Sequence, residues 1–253
     1  MPYYSKLPIV LLSEIAAARE DSYRARMASY LLEKMGQSLS AEEIARECFV
    51  SKSAVSRFCR EIGLEDFSEL KELLSSSTKN FEMIGSGSSG ARRFADLSSS
   101  AMVQCAETLD YDALSSLVGL IRRADRIACF GLLKAEAAAI NLQSDLTMLG
   151  KKALTKVSYR DQMDFLREST PSDLVIIFSY QGIYFEYDLP PEIREGRGKV
   201  FIVTGNPEVK EKLMKRPLVS GVLSFSSSLD FVSHPYQLLM VSSIIAQEVA
   251  SHS

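Results

Sequence analysis

Apolar residues recur at helical spacing through the first third of the chain. Pro8 to Ala18 carries Ile9, Leu12 and Ile15 on one face, which predicts a first helix. Asp21 or Ser22 can cap a second, which runs to Met35 with Met27, Tyr30, Leu31 and Met35 near helical period, and Gly36 closes it. Ser40 and Glu43 carry the signature of a capping box ahead of a short helix with Ile44 and Ala45 inward. Phe49 and Val50 then supply an apolar turn. Ser51 caps the next helix, on which Val55, Phe58, Cys59 and Ile62 share a face. Asp66 or Ser68 opens a fifth, with Phe67, Leu70, Leu73 and Leu74 packing back. Residues 1–75 therefore read as an all-α domain.

The pattern changes at Ser75. Ser and Gly dominate Ser75 to Ser100, which reads as a flexible linker over residues 76–104. Gly85, Gly87 and Gly90 spell G-x-G-x-x-G, but no buried strand precedes them and no strong helix start follows, so a dinucleotide site is not expected. From Ala101 helices and apolar strands alternate. Helices are predicted at Met102–Leu109, Tyr111–Ala124, Ala135–Leu149, Asp161–Glu168 and Pro235–Ala250, with a short one after the Gly205-Asn206-Pro207 turn. Strands are predicted at Arg126–Gly131, Lys152–Val157, Asp173–Ser179, Lys199–Thr204 and Val219–Phe225. Near-continuous apolar strands between helices imply an α/β domain over residues 105–253, a parallel sheet with helices on both faces. Ligands bind such sheets beyond the carboxyl ends of the strands, here Gly131–Lys134, Ser179–Gly182 and Thr204–Asn206.

Charge narrows the picture. The 253 residues carry a net charge of −3, so any nucleic-acid contact must come from a local basic face rather than from bulk charge. The second helix of the Ser40–Gly63 pair offers one. Opposite its apolar face stand Ser53, Ser56, Arg57 and Arg60, with Ser51 and Lys52 at its start. Small hydroxyls and cations on a slim face suit a DNA major groove. The cysteines Cys48, Cys59, Cys105 and Cys129 form no C-x-x-C pair, and His234 and His252 lie far from them, so neither a zinc site nor any other metal or cofactor is expected. Scattered thiols, no signal peptide and no apolar run of membrane-spanning length point to the cytoplasm, with no membrane partner.

The run AEEIARECFVSKSAVSRFCREIGLEDFSELK closely resembles the N-terminal helix-turn-helix of RpiR-type bacterial transcription regulators, through Val50-Ser51, Val55 to Arg60, Gly63 and Phe67 to Lys71. Roughly residues 105–250 resemble the SIS (sugar isomerase) domain that follows it in that family. Phe178-Ser179-Tyr180-Gln181-Gly182 stands where the family has a loop like I-S-x-S-G-x-T. The resemblance implies a double-stranded DNA operator contacted by Ser51, Lys52, Ser53, Ser56, Arg57 and Arg60. It also implies a small, phosphosugar-like effector, a homodimer or homotetramer, and no catalysis.

The effector loops depart from the family pattern. Gly131 is kept, but Leu133 and Ala135 replace a glycine and a serine. In the second loop Ser179 and Gly182 survive, while Gln181 and Tyr184 replace hydroxyl residues. Lys134 and Gln181 can still grip an anion by charge and amide, which keeps Gly131, Lys134, Ser179, Gln181 and Gly182 as the effector candidates. Alternatively the domain has lost its ligand and only oligomerises. A rival of another class is a sugar-phosphate isomerase with an accessory helical domain. Glu136, Glu186 and His234 are its candidate bases, yet no carboxylate pair or nucleophile–base set has a spacing that commits to chemistry.

Overall fold

The computed structural model describes residues 6–18, 22–76, 86–185, 198–228 and 234–251. They fall into two compact units: one holds residues 6–18, 22–76 and 157–164, the other the rest.

The first unit is built on α1 (Lys6–Ala17), α2 (Tyr23–Glu33), α3 (Ala41–Glu47), α4 (Lys52–Glu61) and α5 (Phe67–Ser76). Side-chain caps start three of them. Ser22 accepts from the Ala25 amide, Ser40 and Glu43 complete the expected capping box, and Ser51 accepts from the Ala54 amide. Asp66 caps α5 by accepting from the amides of Ser68 and Glu69. Asp21 lies outside the described residues. Met27, Leu31, Ile44, Phe58 and Leu70 meet in a core closed to solvent.

One face is turned from its expected direction. Leu12 is exposed, and Ile9 and Ile15 are only half-buried, whereas Leu7, Val10, Leu11 and Glu14 form the buried stripe of α1. Both stripes have helical spacing, and a carboxylate inside the true one disguises it. Burial raises the Glu14 carboxyl above the usual range, partly offset by the Arg160 amide and by Arg24.

The second unit begins with α6 (Gly87–Thr108). A helix therefore stands from Gly87 onward where Ser and Gly content predicted a flexible linker over 76–104; Gly85 and Phe81–Ile84 lie outside the described residues. The serines do not melt it because their hydroxyls bond back into the helix: Ser99 donates to the Ala95 carbonyl and Ser100 to that of Asp96, each at 2.9 Å. Gly90, Ser98, Ala101 and Cys105 make a narrow buried stripe on it.

The remaining elements are α7 (Tyr111–Arg123), β1 (Arg126–Phe130), α8 (Lys134–Met148), β2 (Ala153–Thr155), α9 (Tyr159–Glu168), β3 (Asp173–Phe178), β4 (Lys199–Thr204), α10 (Lys210–Met214), β5 (Val219–Ser224) and α11 (His234–Ser251). The strands form one sheet in the order β2-β1-β3-β4-β5, and every pair is parallel. One face carries Ile127, Cys129, Leu174, Ile176, Phe178 and Val203 against α7, α8 and α11. On the other, Phe130 meets Phe165 of α9 edge to face at 5.6 Å. All six residues of β3 are buried, as a strand covered on both sides requires.

Asp173 anchors the amino end of that strand. Arg126 grips it with two charge-assisted bonds of 2.8 and 2.7 Å, and Thr170 donates its amide and hydroxyl at 2.7 and 2.9 Å. Arg126 first, then Thr170, outweigh burial and hold the carboxyl at about 2 instead of 3.8. A carboxyl depressed by folding stabilises above its unfolded pKa and loses that contribution as pH falls through its folded one. Asp173→Asn is thus expected to cost about 2 kcal/mol near neutrality. In thermal melts the gap to wild type should close as the pH is lowered from about 4 towards 2.

Candidate functional site

Two clusters carry the chemistry, one in each unit. In the first, α4 presents Ser51, Lys52, Ser53, Ser56, Arg57 and Arg60, all exposed, while Ala54, Val55, Phe58 and Cys59 face the core. Ser51 and Ser53 hydroxyls lie 2.8 Å apart, so the helix start presents two joined hydroxyls beside its cap. Lys52 pairs with Glu42 of α3, which pulls the Glu42 carboxyl below its usual range. Arg57 lies over the Tyr23 ring at 5.5 Å and reaches Glu61 at 3.9 Å. Glu61 also meets Arg24 at 3.3 Å and Arg160 at 3.4 Å.

Glu42, Tyr23 and Glu61 were missed by sequence reasoning. The four-residue step from Arg57 to Glu61 is a legible helical pair. Tyr23 reaches Arg57 only through the packing of α2 on α4.

The turn into α4 is unusual. The Val50 amide bonds the Ala45 carbonyl and the Phe49 amide that of Arg46, which closes α3 in a Schellman motif. Phe49 occupies its left-handed position at φ +53° and is 85% exposed. Holding a non-glycine residue there costs about 1–3 kcal/mol.

The second cluster lies at the carboxyl ends of β1, β3 and β4. β1 stands between β2 and β3, so the chain leaves it in one direction and returns on its other side. That arrangement opens a crevice between the loops after β1 and β3. Register sets Phe130 opposite Ile177 and Phe178 opposite Val203, so Gly131–Lys134, Ser179–Gly182 and Thr204–Asn206 start side by side. All five effector candidates therefore gather at one edge of the sheet.

Gly131 is dictated by α8: a Cβ there would sit 2.6 Å from the carbonyl carbon and oxygen of Ala135. Leu133, at φ +53°, takes a left-handed conformation that glycine would hold with less strain, and it offers α8 no side-chain cap. Lys134 is the first residue of α8, exposed yet desolvated enough to lie below the ordinary lysine range. Burial raises the Glu136 carboxyl, two residues on.

In the second loop Ser179 Oγ accepts from the Tyr184 amide at 3.0 Å, and its carbonyl accepts from Gly182 at 2.8 Å. Gly182 stands at φ +76°, where an added Cβ would come 2.5 Å from Val209. Gln181 is half-buried, whereas Tyr180 and Tyr184 are buried. The Tyr180 hydroxyl bonds Ser227, and Thr204 donates to the Tyr180 carbonyl at 3.0 Å.

Of the candidate bases, only the Glu136 side chain is described. Glu186 lies outside the described residues, and His234 opens α11. Among the described residues no group of His, Cys, Asp and Glu could hold a metal ion, and no helix is long and apolar enough to cross a membrane. All four thiols are buried; burial pushes Cys48 up to about 11, Cys59 and Cys105 up to about 12, and Cys129 higher still. They are packing groups rather than nucleophiles.

Residues 22–80 match the helix-turn-helix domain of the rpiR family. The HTH-type transcriptional regulator YfhH of Escherichia coli (strain K12) is 26% identical over 196 residues, which cover 71% of this chain and 69% of the relative. The sugar isomerase domain of an RpiR transcription factor from Sphaerobacter thermophilus is similar in fold, with a TM-score of 0.50 at 18% identity over 64% of this chain and 90% of that domain. So is Escherichia coli CFT073 c3406, solved in complex with a phosphosugar, with a TM-score of 0.52 at 11% identity over 64% of this chain and 88% of that one. The architecture is thus a helical helix-turn-helix unit and an SIS-like α/β unit.

The crevice is sensitive to a single methyl group. Gly131→Ala must displace the first turn of α8, at a cost of about 1–3 kcal/mol. Calorimetry should show that loss as a lower Tm, while Gln181→Ala at the same crevice leaves Tm close to wild type.

Proposed function

We propose that this chain, which begins with an rpiR-family helix-turn-helix domain, is a transcription regulator that places α4 in the major groove of an operator duplex. The observation that carries the reading is the one exposed face of α4 bearing Ser51, Lys52, Ser53, Ser56, Arg57 and Arg60 over a fully apolar back. Lys52, Arg57 and Arg60 contact phosphates or guanine edges, and the serines allow close approach. Residues 1–75 serve as the DNA head and 105–253 as an effector-binding and oligomerising domain. A homodimer or homotetramer presents heads to half-sites about 34–36 Å apart. The protein works in the cytoplasm, where its operator is.

The effector is a small phosphorylated, sugar-related molecule held at the β1–β3 crevice by Gly131, Lys134, Ser179, Gln181 and Gly182. The α8 start supplies backbone donors and Lys134 a point charge for the phosphate. A fold neighbour solved with a phosphosugar supports that ligand class. We read the domain as a sensor rather than an isomerase because the matched relative is named a regulator. One observation favours a second reading, a sensor that has lost its ligand: the Ser179 hydroxyl already accepts from the Tyr184 amide.

Fluorescence anisotropy on a duplex recovered by the full chain from random-sequence DNA tests the head. Lys52→Ala, Arg57→Ala and Arg60→Ala are each expected to weaken binding about tenfold, and loss of a phosphate contact should reduce the salt slope by about 1. Wild-type affinity in all three would remove α4 from the interface. A thermal-shift screen of phosphosugars tests the sensor. A ligand at a hundred times its Kd stabilises by about 2.7 kcal/mol. Lys134→Ala should abolish that shift, and silence from every phosphosugar would support the ligand-free reading.

A further inference from the structure

The turn between α3 and α4 holds a feature that folding does not account for. Three helices end in the same Schellman hydrogen-bond pattern. In α4, Gly63 bonds the Arg60 carbonyl and Leu64 that of Cys59; in α8, Gly150 bonds that of Thr147 and Lys151 that of Leu146. Both place glycine at the left-handed position, with φ of +87° and +76°. In α3 the same position holds Phe49 at φ +53°. A large β-substituted residue is disfavoured there, and glycine is the usual occupant.

Strain of this kind persists in a core when the side chain packs. Phe49 does not pack: 85% of it is exposed, while its neighbours Cys48 and Ile44 are buried. The residue is thus unfavourable twice over, in backbone conformation and in exposed apolar surface. Glycine would relieve both without losing a buried contact.

Its position says what it could meet. Phe49 lies two residues before Ser51, the cap of α4, so it borders the end of the helix that recognition helices direct at base edges. Exposed Arg26 donates to the Cys48 carbonyl at 3.4 Å, and Arg46 and Lys52, each paired with a neighbouring glutamate, flank the turn. An aromatic ring set among cations at the edge of a groove-reading helix suits DNA better than an apolar protein surface. The apolar feature that DNA offers in the major groove is the thymine methyl group.

We propose that Phe49 is a DNA-contacting, specificity-determining residue that lays its ring against a thymine methyl at the margin of the site read by α4. The proposal rests on the reading of α4 as the groove-reading helix. The left-handed turn is then the means by which the ring is turned away from the core and held outward.

Phe49→Gly separates contact from folding because the two effects have opposite signs. The full-length variant is expected to melt at or above the wild-type Tm and yet bind the selected duplex about tenfold more weakly. Its salt slope should be unchanged, since an apolar contact releases no counterions, whereas Lys52→Ala flattens it. Replacing thymine by uracil throughout the duplex should cost wild type roughly fivefold and Phe49→Gly almost nothing.

Full affinity in Phe49→Gly, or equal sensitivity of both proteins to uracil, would overturn the proposal. So would a loss of affinity that tracks a loss of self-association in sedimentation velocity, which would make Phe49 a contact between copies. If the glycine variant fails to fold, Phe49→Asn, which also tolerates the left-handed region, is measured against the same outcomes. Wild-type binding by both Lys52→Ala and Arg57→Ala would sink the underlying α4 reading instead.

Discussion

Burial of β3 on both faces is the constraint on which the sheet unit depends. Asp173 to Phe178 has no solvent-facing position, so the strand must be apolar throughout and must pair on both edges. Its one charged residue is tolerated because Arg126 and Thr170 satisfy the carboxylate at the strand's start. With that end anchored and both neighbours in parallel register, the other end is determined as well. The loops after β1, β3 and β4 open at the same edge, and the change of strand direction at β1 leaves a crevice between the first two.

The crevice is shaped by close backbone approaches rather than by hydroxyls. Gly131 lets the start of α8 come down onto the end of β1, and Gly182 lets the β3 loop pass Val209. The hydroxyl of Ser179 is turned into the loop, where it accepts from Tyr184. What remains for an anion is the start of α8 and the charge of Lys134, a sparer arrangement than a ring of serines. The helical unit works the opposite way: α4 commits its apolar face to the core and leaves hydroxyls and cations outside, with Tyr23 and Glu61 shaping how Arg57 lies.

Much of this was legible in order along the chain. Caps at Ser22, Ser40 and Ser51, the apolar spacing of α4, and the run from Asp173 to Phe178 are local signals, and local physics made each of them. Two misreadings have a common cause. Serine and glycine content made α6 look like a linker because composition does not reveal that the hydroxyls of Ser99 and Ser100 close on their own helix. Leu12 looked like a core residue of α1 because a stripe containing Glu14 does not read as apolar. In both cases a polar group was satisfied or tolerated inside the fold in a way that residue type alone does not announce.

By itself the sequence determined the elements, the parallel sheet and the face of α4, because these follow from helical and strand periodicity, capping chemistry and turn residues within a few positions of one another. Only the tertiary structure decided which stripe of α1 is buried, where Arg57 finds Tyr23 and Glu61, and that Ser179 is already engaged. It also decided that Phe49 sits in a left-handed turn and points into solvent. These depend on contacts between residues far apart in the chain, or on a backbone angle that a phenylalanine does not suggest, and neither leaves a mark in the spacing of hydrophobic and polar positions.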